Sequence, residues 1–134
     1  MIPFSPPRID DKIVNEVADA LRSGWITTGP KTKLFEKKIA KYCNVSNVLA
    51  VNSWTAGAEM LLYWYGITEG DEVIVPVYTY CASANIVIHR GAKVIMVDVN
   101  SDFGIDVSKI EKHITSKTKA IIPVDVGGLP IQFD

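Results

Sequence analysis

The chain has 134 residues, of which 48% are apolar and 22% are charged, so it is long enough for one domain with a packed core. Its 14 basic and 15 acidic residues are interspersed and give a formal net charge of -1, which argues against nucleic acid as a partner. No apolar run is long enough to span a bilayer, and residues 1–7 lack the charged and apolar regions of a signal peptide.

The two cysteines, Cys43 and Cys81, are too few for a disulfide framework. They do not form the CxxC pair that is typical of zinc sites. We therefore expect two reduced, mostly buried thiols, as in a cytoplasmic protein.

The first part of the sequence has the pattern of two helices. Asp10 or Asp11 is suited to cap the first helix, in which apolar residues recur at helical spacing until Gly24 ends it. Pro30 fits the first turn of the second helix. That helix is expected to turn its apolar side chains inward and its lysines outward. The apolar side chains are Leu34, Phe35, Ile39 and Tyr42.

From residue 48 onward, short apolar segments alternate with helical ones. Strands without polar alternation, joined by helices, indicate a parallel α/β sheet that is covered on both faces. The first helix of this region is apolar on nearly all sides and is therefore expected to be buried. The predicted strands are residues 48–51, 72–76, 93–97 and 119–124, and the predicted helices are residues 55–65, 79–89 and 106–114.

The loop at residues 52–57 is the first candidate site, because ligands of parallel α/β sheets bind beyond the carboxyl ends of the strands. It joins a predicted strand to a helix, whose first N–H groups and dipole suit a phosphate. Ser53 and Thr55 add hydroxyl donors, while Ala56 and Gly57 let a ligand approach closely. The alternative is that Ser53 or Thr55 simply caps the helix.

The loop at residues 76–80 is the second candidate, since it follows the next strand at the same edge of the sheet. Tyr78 and Tyr80 offer aromatic planes that suit a flat ring, although both also fit an ordinary core. Together the two loops indicate a ligand that carries a phosphate and a planar ring. The glycine motifs of dinucleotide and P-loop sites are missing from the sequence.

Other polar residues are weaker candidates. His89 and His113 are interpreted as surface or cap histidines, and Asp125 as a polar residue at the ligand-binding edge. Asp98, Asp102 and Asp106 resemble a calcium loop only in spacing, and Asp106 better fits a helix cap.

The chain resembles the DegT/DnrJ/EryC1/StrS aminotransferases in the order and spacing of its motifs. The matching segments are GWITTGP at 24–30, VNSWTA at 51–56, GDEVIVP at 70–76, Thr79-Tyr80, GAK at 91–93 leading to VDV at 97–99, and KTKAIIPV at 117–124. The resemblance implies a partial three-layer sandwich. This would be the N-terminal portion, residues 1–134, of the aspartate-aminotransferase-like large domain (fold type I).

The same resemblance implies a cofactor, pyridoxal 5'-phosphate (PLP), and roles for several residues. Ser53 and the backbone of Thr55 and Ala56 would hold the cofactor phosphate, and Tyr80 would stack on the pyridine ring. Thr27 and Thr28 would lie in a loop on the substrate side and at a dimer interface. Members transfer an amino group, usually from glutamate, to a keto sugar on a nucleotide for cell-surface or antibiotic glycans.

Two positions depart from the family pattern, Trp54 in the phosphate loop and Gly127 in a segment that often carries an aromatic. The resemblance also implies that the Schiff-base lysine and the pyridinium aspartate lie on strands later than residue 124. A small C-terminal domain would follow them. Lys93 and Lys119 open strands at the wrong edge. We therefore expect a truncated chain that is inactive alone and binds cofactor weakly or not at all.

The family fold also predicts how the strands are arranged. The strand at 72–76 should lie between those at 93–97 and 119–124, while the strand at 48–51 lacks its neighbours. An unpaired apolar edge favours oligomerisation or domain swapping. The alternatives are one half of a split aminotransferase, a non-catalytic module that binds nucleotide sugars or assists assembly, and an unrelated nucleotide-binding α/β domain.

Overall fold

The computed structural model describes residues 5–131, which form two compact units that divide between Ala50 and Val51. The first unit contains two helices, α1 (Asp11–Arg22) and α2 (Pro30–Cys43). The Asp10 carboxylate accepts a hydrogen bond from the Ile13 N–H at 3.0 Å, which confirms the predicted cap of α1. Pro30 is the first residue of α2, as its fixed φ and missing N–H predict.

The lysines of α2 are exposed, as predicted, and Ile39 is half-buried, but the rest of the predicted inward face is wrong. Phe35 is 54% exposed and Tyr42 is 88% exposed, whereas Glu36 is the buried residue of the helix. The Glu36 carboxylate accepts hydrogen bonds from the Ala50 N–H at 3.0 Å and from the Lys33 ammonium at 3.2 Å. These bonds lower the pKa of Glu36, and the Ala50 N–H has the larger effect.

Residues 48–51 do not form the predicted strand and pair with none of the described strands. A strand needs a partner for its backbone N–H and C=O groups. Here the side chain of Glu36 takes that place at Ala50. The apolar pattern of the segment therefore predicted a strand that the structure does not contain.

The second unit is a parallel sheet with two helices before and between its strands. Its strands lie in the order β2-β1-β3, which confirms that the strand at 72–76 lies between the two that follow it in sequence. The elements are α3 (Trp54–Trp64), β1 (Glu72–Pro76), α4 (Ala82–His89), β2 (Lys93–Val97) and β3 (Thr118–Ile121). Short 3-10 turns at Val107–Lys109 and Glu111–His113 replace the single helix predicted there, and another spans Val126–Gly128.

The core surrounds β1, which is buried on both faces. On one face, side chains of β1 pack with α3 and α4, while on the other Ile74 packs with the segment that follows β2. Burying such an aliphatic side chain contributes roughly 1.5–3 kcal/mol. The first cluster contains Leu62, Ile67, Val73, Val75, Ile86, Val87 and Ala92, and the second Ile74, Val97 and Ile105.

Two further expectations of burial are wrong. Leu62 is the buried residue of α3, while Trp64 is 75% exposed, because no element among residues 51–131 covers that side of the helix. Cys43 and Cys81 are free thiols, as expected, but both are exposed. Cys81 lies in the turn before α4, which begins at Ala82 and not at Thr79.

Candidate cofactor site

The N-terminus of α3 is organised by Ser53. Its backbone is extended, and its hydroxyl oxygen accepts a hydrogen bond from the Ala56 N–H at 3.1 Å. The Ser53 carbonyl oxygen accepts from the Gly57 N–H at 3.3 Å, which closes the first helical turn. The predicted cap is therefore present, and it uses one of the donors that the helix end offers.

Capping leaves two donors at this helix end. The N–H groups of Trp54 and Thr55 occupy the first two helical positions, where no intrahelical acceptor exists, and no hydrogen bond from either is found within residues 5–131. Both belong to the positive end of the helix dipole. Capping and anion binding are thus compatible here, and the donors left for an anion are those of Trp54 and Thr55, since the Ala56 N–H is already used. We refer to residues 52–56 as the α3 cap.

The Trp54 side chain is not packed into the fold at the N-terminus of α3. Its side chain is 56% exposed, so the indole lies outward at the surface. Thr55, Ala56 and Gly57 are half-buried. The departure from the family pattern at Trp54 therefore leaves the α3 cap intact.

The two tyrosines after β1 have different surroundings. Tyr78 lies against Phe103, with ring centroids 5.1 Å apart and planes tilted by 38°. Tyr80 is 79% exposed and has no aromatic partner within residues 5–131. The open ring face thus belongs to Tyr80, while Tyr78 joins β1 to the loop after β2.

Hydroxyl groups fix the turn that carries Tyr80. The Thr79 and Ser83 hydroxyl oxygens lie 2.7 Å apart, and Ser83 is buried. The Tyr80 carbonyl oxygen accepts from the Ser83 N–H at 3.0 Å. This double connection ties the turn to the first residues of α4.

A lysine and two aspartates meet just beyond the carboxyl end of β2. The Lys109 ammonium lies 3.0 Å from the Asp98 carboxylate and 3.2 Å from that of Asp106. The hydrogen bond to Asp98, followed by that to Asp106, raises the pKa of Lys109 above its ordinary value of 10.5. Sequence reasoning missed this lysine because the loop after β2 and the 3-10 turn at Val107–Lys109 bring it to the sheet edge, not a strand.

The opposite edge of the sheet holds the lysines that sequence reasoning excluded. Lys93 begins β2 and lies 3.5 Å from the carboxylate of Glu72, the first residue of β1. Lys119 lies at the second position of β3 and is exposed. Both are therefore at the amino ends of the strands, as predicted, and away from Tyr80.

Glu72 is a buried carboxylate that sequence reasoning missed. It accepts a hydrogen bond from the Thr115 hydroxyl at 2.7 Å, and this bond, together with the nearby Lys93, lowers the pKa of Glu72. Apolar strand residues follow it in the sequence, and its polar partners Thr115 and Lys93 are 43 and 21 positions away. This group stabilises the amino ends of the strands and lies away from the α3 cap.

The remaining predicted residues are distributed along the chain. Thr27 and Thr28 lie in the loop of the first unit between α1 and α2, where the Thr28 carbonyl oxygen accepts from the Trp25 indole. The Asp125 carboxylate accepts from the Ile131 N–H at 3.1 Å. His89, at the end of α4, contacts the Glu59 carboxylate on α3, a partner that local sequence spacing does not reveal.

Neither a metal site nor a membrane-spanning helix is found in the described part of the chain. Residues 5–131 contain no cluster of His, Cys, Asp or Glu that fits a metal ion. Asp106 instead caps the turn that follows it, accepting from the Ser108 N–H at 3.1 Å, as predicted. None of the helices described is long and apolar enough to cross a membrane.

The chain is similar to curated proteins that are much longer. It is 42% identical to the UDP-4-amino-4-deoxy-L-arabinose–oxoglutarate aminotransferase of Shewanella sediminis and 39% identical to the spore coat polysaccharide biosynthesis protein SpsC of Bacillus subtilis. Each match covers 99% of this chain and 34% of the relative. The chain thus spans about a third of the length of these relatives.

The chain is also similar to solved structures of aminotransferases and related enzymes. The structures of the putative sugar aminotransferase Spr1654 from Streptococcus pneumoniae include PMP and PLP forms, with a TM-score of 0.90 and 47% identity over 97% of this chain and 33% of that one. The structure of 3-amino-5-hydroxybenzoic acid synthase matches with a TM-score of 0.83 and 32% identity, over 93% of this chain and 33% of that one. The fold is therefore that of the large domain of PLP-dependent transferases.

The family itself is identified by its sequence pattern. The DegT/DnrJ/EryC1/StrS aminotransferase family matches residues 7–134, which is nearly the whole chain. PLP is the cofactor of this family, in agreement with the forms in which Spr1654 was solved. The chain belongs to the DegT/DnrJ/EryC1/StrS aminotransferase family.

Proposed function

We propose that this chain is the N-terminal portion of an aminotransferase large domain and that it holds the phosphate of PLP. The observation that carries the proposal is the α3 cap, where the N–H groups of Trp54 and Thr55 stay available while Ser53 caps the helix. Their direction and the helix dipole suit a phosphate dianion. The Thr55 hydroxyl adds a donor, and Ala56 leaves room for the ligand. The Ser53 hydroxyl donates to the Asn52 side-chain oxygen at 3.3 Å, so it joins the site by turning its proton from Asn52 to the phosphate.

Tyr80 provides the surface for the cofactor ring. An exposed phenol ring on a turn fixed by Thr79 and Ser83 is preorganised for stacking. Tyr78 serves a different purpose, since its ring is engaged with Phe103. The cofactor supplies an electron sink that allows an amino group to move between two carbon skeletons. The residues of this chain bind and orient it.

The proposed substrates are glutamate and a keto sugar carried on a nucleotide, in cell-surface polysaccharide biosynthesis. The support is the naming of two relatives, one acting on a UDP-linked amino sugar and one in spore coat polysaccharide biosynthesis. Thr27 and Thr28 are proposed to face the sugar substrate. A cytoplasmic location fits these substrates, and neither nucleic acid nor a membrane is a proposed partner.

Three lysines lie at the edges of the sheet, Lys93, Lys109 and Lys119, and none of them is suited to react with the cofactor aldehyde. A nucleophilic lysine must lose its proton, whereas Asp98 and Asp106 hold Lys109 in the protonated state. Lys93 and Lys119 lie at the other edge of the sheet. The chain by itself is therefore proposed to be inactive in transamination.

A second candidate is one half of a split aminotransferase, with a further polypeptide supplying the lysine. The exposed apolar side of α3 favours this candidate, because Leu61 is 50% exposed, Trp64 75% and Tyr65 71%. The same exposure favours a homo-oligomer. Light scattering after size-exclusion chromatography tests self-association, and co-expression with the remaining strands is expected to give a yellow complex if the enzyme is split.

The proposed cofactor site is tested by amide NMR with two ligands. PLP is expected to shift the amide resonances of Trp54 and Thr55, while pyridoxal, which lacks the phosphate, is expected to leave them unchanged. The N–H of Gly66, at the other end of the helix, serves as an internal control. Equal shifts with both ligands, or none with PLP, would contradict the proposal. Binding of a nucleotide sugar without any response to PLP would favour a non-catalytic binding module instead.

A further inference from the structure

The loop between α1 and α2 is closed by one aromatic side chain. The indole N–H of Trp25 donates to the Thr28 carbonyl oxygen at 3.0 Å, and its backbone N–H donates to the Ser23 hydroxyl oxygen at 3.2 Å. The Ser23 hydroxyl in turn donates to the Ala20 carbonyl oxygen at 2.7 Å, in the last turn of α1. Trp25 thus joins the end of α1 to the residue just before Gly29.

Gly29 supplies the space in which the indole lies. A Cβ at this position would lie less than 3.0 Å from Nε1, Cδ1 and Cε2 of Trp25, a separation that real Cβ atoms do not show. The backbone of Gly29 is extended, with φ of -161°, so its conformation is open to any residue. A side chain at this position would therefore force the Trp25 indole to move, so the glycine matters for the room it leaves and not for its backbone freedom.

We infer that Trp25 and Gly29 are positioning residues, which hold Thr27 and Thr28 in one arrangement before the sugar substrate binds. The inference rests on the proposed function, in which the two threonines face that substrate. Thr27 shares a concavity of about 230 Å³ with Trp25 and Lys31, so the ordered loop has a surface open to a ligand. A loop that is already ordered loses less conformational entropy on binding.

The contact between the indole and Gly29 is tested by NMR on the chain itself. Trp25→Phe assigns the indole N–H resonance of Trp25, and the indoles of Trp54 and Trp64, for which no hydrogen bond is found within residues 5–131, serve as references. We expect the Trp25 indole N–H to exchange about fivefold more slowly than these references. Gly29→Ala should abolish that difference, while Gly104→Ala, whose Cβ would meet Ile131 at an ordinary 3.4 Å, should preserve it.

A double-mutant cycle keeps the test valid if Gly29→Ala unfolds the loop. Gly29→Ala should lower the thermal midpoint in the wild-type background and leave it unchanged in a Trp25→Ala background, where the indole is gone. An equal decrease in both backgrounds, or an unchanged Trp25 indole resonance in Gly29→Ala, would overturn the inference.

The substrate role is tested by titration with a UDP-sugar. The amide resonances of Thr27 and Thr28 should respond in the wild-type chain, and Gly29→Ala should weaken the affinity at least about fivefold. The response of Trp54 and Thr55 to PLP should be the same in both proteins. If the UDP-sugar does not shift Thr27 and Thr28 in the wild type, the positioning role is wrong. If PLP does not shift Trp54 and Thr55, the proposed cofactor site is wrong, and the sugar titration still decides the positioning role.

Discussion

The ammonium of Lys109 lies 3.0 Å from the carboxylate of Asp98, directly after the carboxyl end of β2. Asp98 therefore has two effects at the carboxyl edge of the sheet. It keeps a nearby amine charged, and its own pKa is lowered by the hydrogen bond from Lys109 and then by that from the Val99 N–H. This edge thus carries an ion pair between Lys109 and Asp98.

Lys109 is expected to resist modification by PLP and borohydride. In the wild-type chain, peptide mapping by mass spectrometry should find less label on Lys109 than on the exposed Lys119, because only an unprotonated amine reacts with an aldehyde. Asp98→Asn should increase the label on Lys109, since it removes the main cause of the raised pKa. Asp102→Asn, at an exposed position nearby, is the matched control. Preferential labelling of Lys109 in the wild type would contradict this prediction.

Glu72 is expected to make stability dependent on pH in the acid range. Its folded pKa is lowered by the Thr115 hydroxyl and then by Lys93, so the stability it contributes is present above its ordinary value of 4.5 and is lost as the pH falls through the lowered value. Thr115→Val should reduce the free energy of unfolding at pH 7 and reduce its loss on acidification.

Urea unfolding between pH 3 and pH 7, followed by circular dichroism, measures this effect of Glu72. Ser116→Ala, at the exposed neighbouring position, should keep the wild-type pH dependence. A Thr115→Val chain with the full acid sensitivity of the wild type would show that another carboxylate is responsible.

Tyr78 is expected to contribute to stability, and Tyr80 to PLP binding. Tyr78→Ala removes the ring contact with Phe103 and should lower the free energy of unfolding by about 0.5–1.5 kcal/mol. Tyr80→Ala should leave stability nearly unchanged, because the side chain is 79% exposed, and should weaken PLP binding. Thermal unfolding and a PLP titration of both variants check this. The reverse pattern would assign the ring-stacking role to Tyr78.

Local signals in the sequence predicted the ends of elements well. Asp10 and Asp106 accept hydrogen bonds from N–H groups two or three residues ahead, and Pro30 begins α2. Each depends on a short stretch of chain, so its chemistry is visible in the sequence. The parallel sheet followed from apolar strand patterns, and its strand order followed from the family resemblance.

Features that depend on distant residues were missed. Glu36 accepts a hydrogen bond from the Ala50 N–H, 14 positions away, in a segment that has no strand partner among the described residues. Lys109 reaches Asp98 across 11 positions through two turns. His89 meets Glu59 from 30 positions away. Hydrophobic periodicity does not encode such pairs, because it reports only which face of an element is apolar.

The central claim is that the α3 cap holds the cofactor phosphate, and the most direct test is isothermal titration of PLP into Ser53→Asp. Asp caps a helix as well as Ser does, whereas Ser53→Ala should lower the free energy of unfolding by about 1 kcal/mol. Ser53→Asp should therefore keep wild-type stability, yet bind PLP at least about tenfold more weakly, because its carboxylate repels the phosphate. A Ser53→Asp chain that binds PLP as tightly as the wild type would contradict the claim.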